Sequence, residues 1–544
     1  MEKEKIEYGK GYLNGKTGRG PFWIDKGAGK PNIFLITMDM VPPRFYLGEH
    51  RGIDTPNMDS LGNDSIFFSN AFASAPLWGP SRASYLTGRY SYITGNSERS
   101  HDGHLTELRN SDTIWPEYLK AAGYYTRHVG KSHVGTEIFT RVFGENDTPW
   151  HRWSPPWYDD EYYLEFLHRM GLQKYSFKKE IKGVSWSGVG LGNNYGGWLA
   201  DQNGRPFPED GTYPAFLVDR AISIISNRPD SESPLYFQLD FFGPHQPFAI
   251  PGGWEERERQ IRESMVPPKS WSRWAERGYG EIKDQPRVYN LYRKNWGLRD
   301  REVLVDYMVA NQLQFELMDR MVGKFIDFLK AENLYDESLI ILTADHGEMN
   351  GEWGCIDKGA YLNPQVLRVP VIIKLPRNSN HPKINGLERR SSFTFEEPCS
   401  LLDIAPTILD TVGVEIPNRL DGFCLLDTAP GEKRPSDKPI MFDVWNHVVP
   451  NPSVGIVFRS SDGRFYMFSY NTTDYIDELY DLSPGASLNN LYGNPEYQAV
   501  YEEALRELNR CLSQDERWDV YRGYFQLEMA EKLKLPSKDM QKFV

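Results

Sequence analysis

The chain has 544 residues, 40% of them hydrophobic and 25% charged, the composition of an ordinary globular protein too long for one small core. A formal net charge of -13 excludes the basic footprint that a nucleic-acid partner needs, and a site for an anionic substrate must therefore gather its positive charge locally. No apolar run is long enough to span a bilayer, so no membrane partner is expected.

In chain order, the start from Met1 to Lys5 runs into Gly- and Lys-rich sequence without an apolar signal core, which predicts an N-terminal extension over 1–30 and a cytoplasmic protein. Asn32 to Thr37 is a continuous apolar run, as in a strand buried on both faces, and it leads to Asp39. Thr113 to Ala122 reads as a helix. Residues 136–215, with Trp150, Trp153, Trp157, Trp186 and Trp198, and residues 249–300, with Trp254, Trp271, Trp274 and Trp296, read as long irregular loops. Most of these rings are expected to pack the loops onto the body, with a minority lining a pocket. Leu235 to Leu239 is a further buried strand, leading to Pro244-His245. Tyr307 to Glu332 reads as a helix, and Leu339 to Thr343 as a strand delivering Asp345 and His346.

Strands alternating with amphipathic helices indicate an α/β fold, a mostly parallel central sheet between helices, over residues 31–430. From 431 to 544 a smaller α+β subdomain is expected. Val454 to Ser469 alternates around the turn Ser461-Asp462-Gly463, a helix runs from about Pro495 to Leu512, and a polar tail follows. That tail is a candidate for homo-oligomer contacts. Cys355, Cys399, Cys424 and Cys511 have neither paired nor metal-ligand spacing and are expected to be reduced, packed thiols.

Asp39 and the pair Asp345-His346 stand at the ends of two different predicted strands, where open parallel sheets bind ligands. Two carboxylates and an imidazole suit a divalent cation. Taken alone, Asp345-His346-Gly347 also suits a plain turn, and Asp39 a helix cap.

A longer series of motifs adds context. It begins with Pro31-Asn32-Ile33 to Asp39 and the stretch Ala75-Pro76-Leu77-Trp78-Gly79-Pro80-Ser81-Arg82 to Gly88-Arg89. Gly130-Lys131-Ser132-His133, Pro244-His245-Gln246-Pro247, Asp345-His346-Gly347-Glu348 and Asp357-Lys358-Gly359 follow. Arg368-Val369-Pro370, Asp403-Ile404-Ala405-Pro406-Thr407 and Glu478-Leu479-Tyr480-Asp481-Leu482 complete it. In order and spacing the series resembles the sulfatases and the related phosphonate monoester hydrolases of the alkaline phosphatase superfamily.

The resemblance implies Asp39, Asp345 and His346 as metal ligands. It implies Arg82 as the arginine that steadies the nucleophile, and Lys131, His133, His245 and Lys358 as the shell that grips the anion and protonates the leaving oxygen. Trp78 falls where sulfatases carry the cysteine or serine that becomes formylglycine, so no formylglycine is expected, and Trp78 becomes part of the substrate-binding wall. Met40 stands where calcium-binding sulfatases usually carry another aspartate. A site short of two oxygen ligands favours one Mn²⁺ or Zn²⁺, or Fe²⁺ by the same chemistry, over Ca²⁺.

Three functions fit. The first is a formylglycine-independent hydrolase of a small sulfate, phosphate or phosphonate ester, with metal-bound water as the attacking group. The second is a metal-dependent lyase such as a decarboxylase, with Trp78 drying the pocket. The third is a catalytically silent binding module, against which the retained polar shell argues. The hydrolase is the expectation.

Overall fold

The computed structural model describes residues 30–47, 52–94, 108–144, 160–184, 191–229, 233–377, 393–417, 420–427, 438–474, 476–486, 488–523 and 525. The N-terminal extension up to residue 29, Trp150, Trp153, Trp157, Trp186 and the tail from 526 onward lie outside them.

Eight strands form the central sheet: β1 (Asn32–Asp39), β2 (Ile66–Phe72), β3 (Tyr125–Gly130), β6 (Leu235–Pro244), β8 (Ser338–Ala344), β9 (Arg368–Lys374), β10 (Phe393–Phe395) and β11 (Cys399–Ser400). Their order is β10-β2-β9-β8-β1-β6-β3, with β11 also on β2. Pairing is parallel except at β9, which runs antiparallel to both β2 and β8. The strands at the centre are apolar without alternation because both faces are covered: every residue of β8 and β6 is buried.

Four helices matter here: α1 (Trp78–Thr87), α2 (Tyr213–Ser226), α3 (Arg301–Ala331) and α4 (Gln498–Gln514). The N-cap of α3 is Asp300, whose carboxylate accepts from the backbone of Glu302 and Val303, and the helix packs along β6. The register of the two central strands pairs Met38 with Ala344, and the next residue of each, Asp39 and Asp345, emerges at the carboxyl end of the sheet.

In their described parts the two aromatic regions are not irregular loops. Strands β4 (Ser176–Val184), β5 (Leu191–Ala200) and β7 (Phe248–Ile250) form a small sheet there, and helices span Thr136–Phe143, Glu161–Arg169, Glu255–Ser264, Lys269–Glu276 and Arg287–Trp296. Two of these helices begin directly after a proline, Pro268 and Pro286. Their aromatics recur three residues apart, Trp271 with Trp274 and Tyr289 with Tyr292, so the rings that suggested loops are buried helix faces.

The C-terminal sheet is antiparallel in the order β12 (Ile440–His447), β13 (Val449–Arg459), β14 (Phe465–Asn471), β15 (Glu478–Asp481). Its alternation divides it cleanly. Ile440, Phe442, Val444, Val457, Met467 and Tyr480 join the main core, while Val454, Ile456, Phe458, Tyr466 and Phe468 pack with Leu505, Leu508 and Leu512 of α4. The separate sheet expected from the sequence is thus present, and one of its faces is continuous with the main core. All four cysteines are buried thiols outside any disulfide. Among the described residues no helix is long and apolar enough to cross a membrane.

Candidate active site

Asp39, Asp345 and His346 meet at the carboxyl ends of β1 and β8, all with no exposed surface, their ligand atoms within 4.8 Å of one another. His346 Nε2 lies 3.6 Å from Asp39 Oδ1 and 3.8 Å from Asp345 Oδ1. The backbone fixes this meeting: Asp345 N–H donates to the Met38 carbonyl at 3.1 Å, and Val41 N–H to the His346 carbonyl at 3.0 Å.

The group fits a cation on two counts. Asp39 Oδ1 and His346 Nε2 are buried with no hydrogen-bond partner among the described residues, a costly state unless a ligand satisfies them. The His346 ring also donates from Nδ1 to the Gly347 carbonyl at 2.9 Å, which turns the lone pair of Nε2 toward the two aspartates. Donor atoms each about 2.1 Å from one cation stand about 3 to 3.5 Å apart, close to the spacing seen. Met40 adds no oxygen: its N–H donates to Asp345 Oδ1 at 3.2 Å, and its sulfur lies 3.8 Å from Lys358 Nζ.

Arg82 is seated behind the carboxylates. Its guanidinium donates through Nε to Asp345 Oδ2 at 2.8 Å and through Nη1 to the Lys131 carbonyl at 2.8 Å, and lies 3.4 Å from Asp240 Oδ2. These contacts hold a candidate ligand carboxylate in place. Asp240 was not legible as a site residue. Its Oδ2 contacts His128 Nε2 at 2.8 Å and accepts from Gln238 at 2.7 Å, and its carbonyl accepts the Lys131 N–H at 3.0 Å. Gly130 permits that approach, since its φ is +105° and a Cβ there would fall 1.9 Å from the Asp240 carbonyl oxygen. The polar pair Gln238 and Asp240, two apart in an otherwise apolar strand, is the sequence signal that could have revealed this network.

Lys131 Nζ donates to Asp39 Oδ2. Trp78, the first residue of α1, gives its indole N–H to His133 Nε2, and the Lys358 ammonium stands 3.7 Å above its ring centroid. Four imidazoles surround that indole: His133, His245, His346 and His447, with centroids 5.3, 5.9, 6.3 and 5.8 Å away. Lys358 Nζ also meets His245 Nε2 at 2.5 Å and Asp357 Oδ1 at 2.9 Å. The structure therefore brings every sequence-predicted site residue into one cluster. Trp254, Trp271 and Trp274 spend their indole N–H groups on Glu209 and on the carbonyls of Leu298 and Gly280.

Burial and charge set the protonation states. Burial, then the neighbouring Lys358, push His245 down to about 3, so its ring is neutral. Burial also lowers His346, keeping it a lone-pair donor, and it lowers Lys131. For Asp39 burial acts upward, but Lys131, His245, His346 and Arg82 outweigh it and hold the carboxyl below the ordinary carboxylate range.

Known proteins resemble this chain along most of its length. A family profile described as Sulfatase matches residues 31–414, and one described as N-sulphoglucosamine sulphohydrolase, C-terminal, matches residues 351–514. An uncharacterized sulfatase, YidJ, of Escherichia coli is 25% identical over 402 residues, 73% of this chain and 71% of that protein. A choline-sulfatase of Rhizobium meliloti is 26% identical over 488 residues, 86% of this chain and 83% of that one. Among solved structures, the phosphonate monoester hydrolase of Agrobacterium radiobacter superposes with a TM-score of 0.65 at 19% identity, covering 89% of this chain and 96% of that one, a likeness of fold.

Proposed function

We propose, from the premise that this chain belongs to the sulfatase family, that it is a metal-dependent hydrolase of a small sulfate, phosphate or phosphonate ester that works without formylglycine. The observation that carries this reading is the convergence of Asp39, Asp345 and His346 with two unsatisfied ligand atoms facing each other, ringed by Lys131, Lys358, His133 and His245.

Electrostatics supports an anionic substrate. Four aspartates, Asp39, Asp240, Asp345 and Asp357, face three cations, Arg82, Lys131 and Lys358. A divalent cation reverses that excess of negative charge, which an anion then answers. Bound by Asp39, Asp345 and His346, the metal supplies Lewis-acid charge and makes water a stronger nucleophile. Lys131 and Lys358 neutralise the anion's outer oxygens as charge develops. A water oxygen bonds to sulfur or phosphorus, the bond to the ester oxygen breaks, and the Lys358–His245 pair or His133 delivers the proton that oxygen takes up. Trp78 supplies no nucleophile, because indole has only a donor N–H, and it occupies the position where the resemblance calls for formylglycine.

Trp78 also favours a second reading, non-hydrolytic decarboxylation. An apolar wall beside the cations disfavours a bound carboxylate relative to a charge-dispersed transition state. The C–C bond breaks, CO₂ leaves, and the electron pair left on carbon takes a proton from His133 or the Lys358–His245 pair. One experiment separates the readings: metal-loaded protein is incubated with sulfate, phosphate and phosphonate esters and, in parallel, with aromatic carboxylic acids. Release of inorganic sulfate, phosphate or the free phosphonate supports the hydrolase, and CO₂ supports the lyase. Silence in both panels leaves a binding module and overturns the proposal.

A further inference from the structure

Resting on the anionic-ester reading above, we infer that His447, delivered by the C-terminal sheet, contacts the organic group of the substrate and selects for it.

His447 is the last residue of β12, so it reaches the site from a different subdomain than the metal-binding trio. Its ring stands edge-on to Trp78, centroids 5.8 Å apart and planes at 89°. On another side it stacks against Tyr292 of the helix Arg287–Trp296, centroids 5.8 Å apart and planes at 9°. The Tyr292 hydroxyl donates to the His447 carbonyl, accepts from Ala360 N–H at 3.0 Å, and lies 2.6 Å from His447 Nδ1. A hydroxyl has one proton, and the carbonyl takes it. His447 Nδ1 therefore carries its own hydrogen and donates to the phenol oxygen, which fixes the ring against Tyr292.

Backbone strain accompanies this placement. The residue joining β12 to β13 is Val448, 61% exposed and with φ at +63°, a region that a β-branched side chain rarely adopts. The pairing of His447 with Val449 closes the corner around it. Strain of this kind persists where surrounding contacts hold a neighbouring group in place, and here the neighbour is the clamped imidazole.

Exposure gives the direction. Asp39, Asp345 and His346 are 0% exposed, Lys131 and Lys358 1%, whereas His245 and His447 are 7% and 8% exposed. Of these side chains the two histidines are the least buried. An anion seated on the cations directs its organic group outward between His245 and His447. A ring already held by Tyr292 and Trp78 makes that contact with little loss of side-chain freedom.

The test measures binding of inorganic phosphate and of phenylphosphonate to Mn²⁺-loaded full-length protein by calorimetry. His447→Ala is expected to weaken phenylphosphonate by about tenfold or more while phosphate changes less than about twofold, and Tyr292→Phe to shift phenylphosphonate the same way by a smaller factor. Should His447→Ala unfold early in a thermal melt, His447→Gln carries the comparison. Equal loss of both ligands, or loss of neither, overturns the assignment. Wild-type protein that binds both anions but hydrolyses no ester removes the hydrolase reading and leaves the His447 result standing. Wild-type protein that binds neither removes the anion site, and the assignment with it.

Discussion

Arg82 and Asp345 form a fully buried pair, with Nε 2.8 Å from Oδ2 and neither side chain exposed to water. Asp345 is also a candidate ligand, so the arginine decides which way its carboxylate faces. Removing one partner of such a pair leaves an uncompensated buried charge, which costs about 3 to 5 kcal/mol. Arg82→Leu is expected to lower unfolding stability by that amount and to weaken divalent-metal binding. Denaturant titration, with metal uptake followed by calorimetry, checks both. An Arg82→Leu protein as stable as wild type and with unchanged metal affinity contradicts the placement.

The ligand set itself predicts the metal. Two carboxylates, one imidazole and a methionine at position 40 offer few oxygens, which suits Mn²⁺ or Zn²⁺ better than Ca²⁺. Elemental analysis of protein purified without added metal is expected to find one of the former pair, and His346→Ala to abolish retention. Saturating metal at about 100 times its Kd is expected to stabilise the wild type by about 2.7 kcal/mol and to leave His346→Ala unmoved. Stoichiometric calcium in the native protein refutes the preference.

Trp78 binds the cluster together, since its N–H is held by His133 and its face lies under Lys358. It is also 4% exposed, so truncation leaves a cavity. Trp78→Ala is expected to cost about 3 to 5 kcal/mol and to reduce turnover of whichever substrate class is found. Trp78→Phe keeps most of the volume and loses the N–H. It is expected to recover most of the stability, and its kcat separates the role of that hydrogen bond from filling. If Trp78→Ala matches wild type in melts and in turnover, the indole is a bystander.

The sequence already carried the central strands and the candidate metal-binding trio, because fully buried parallel strands are near-continuous apolar runs and the first acidic residue after each run stands at the carboxyl end of the sheet. Asp39 and Asp345 are legible for that reason. Arg82 was legible as a site residue, whereas its contact with Asp240, 158 positions away, becomes visible only in the folded chain. His447 and Tyr292 were invisible for a like reason: each stands on an element with an ordinary local pattern, and they meet only when the C-terminal sheet docks. The helices at Lys269–Glu276 and Arg287–Trp296 were missed because proline and tryptophan weighed toward loops, although proline just before a helix is a start signal.

That docking has its own pH dependence, through Glu478. This β15 residue is buried, accepts from the hydroxyls of Tyr289 at 2.7 Å and Tyr480 at 2.5 Å, and so ties the C-terminal sheet to the helix Arg287–Trp296. Burial raises its pKa from 4.5 to about 7 against those hydrogen bonds. A carboxyl raised in the folded state binds its proton more tightly there than in the unfolded chain. Its stabilising share is therefore complete below about 4.5 and is lost as pH climbs through about 7. The loss amounts to roughly 3 kcal/mol at one pKa unit per 1.36 kcal/mol. Glu478→Gln keeps an acceptor oxygen for both tyrosines and cannot ionise. Between pH 5 and pH 8.5, urea unfolding of the two proteins is expected to diverge, the Gln variant gaining on wild type as pH rises. Parallel profiles across that range show that Glu478 does not titrate in the folded protein.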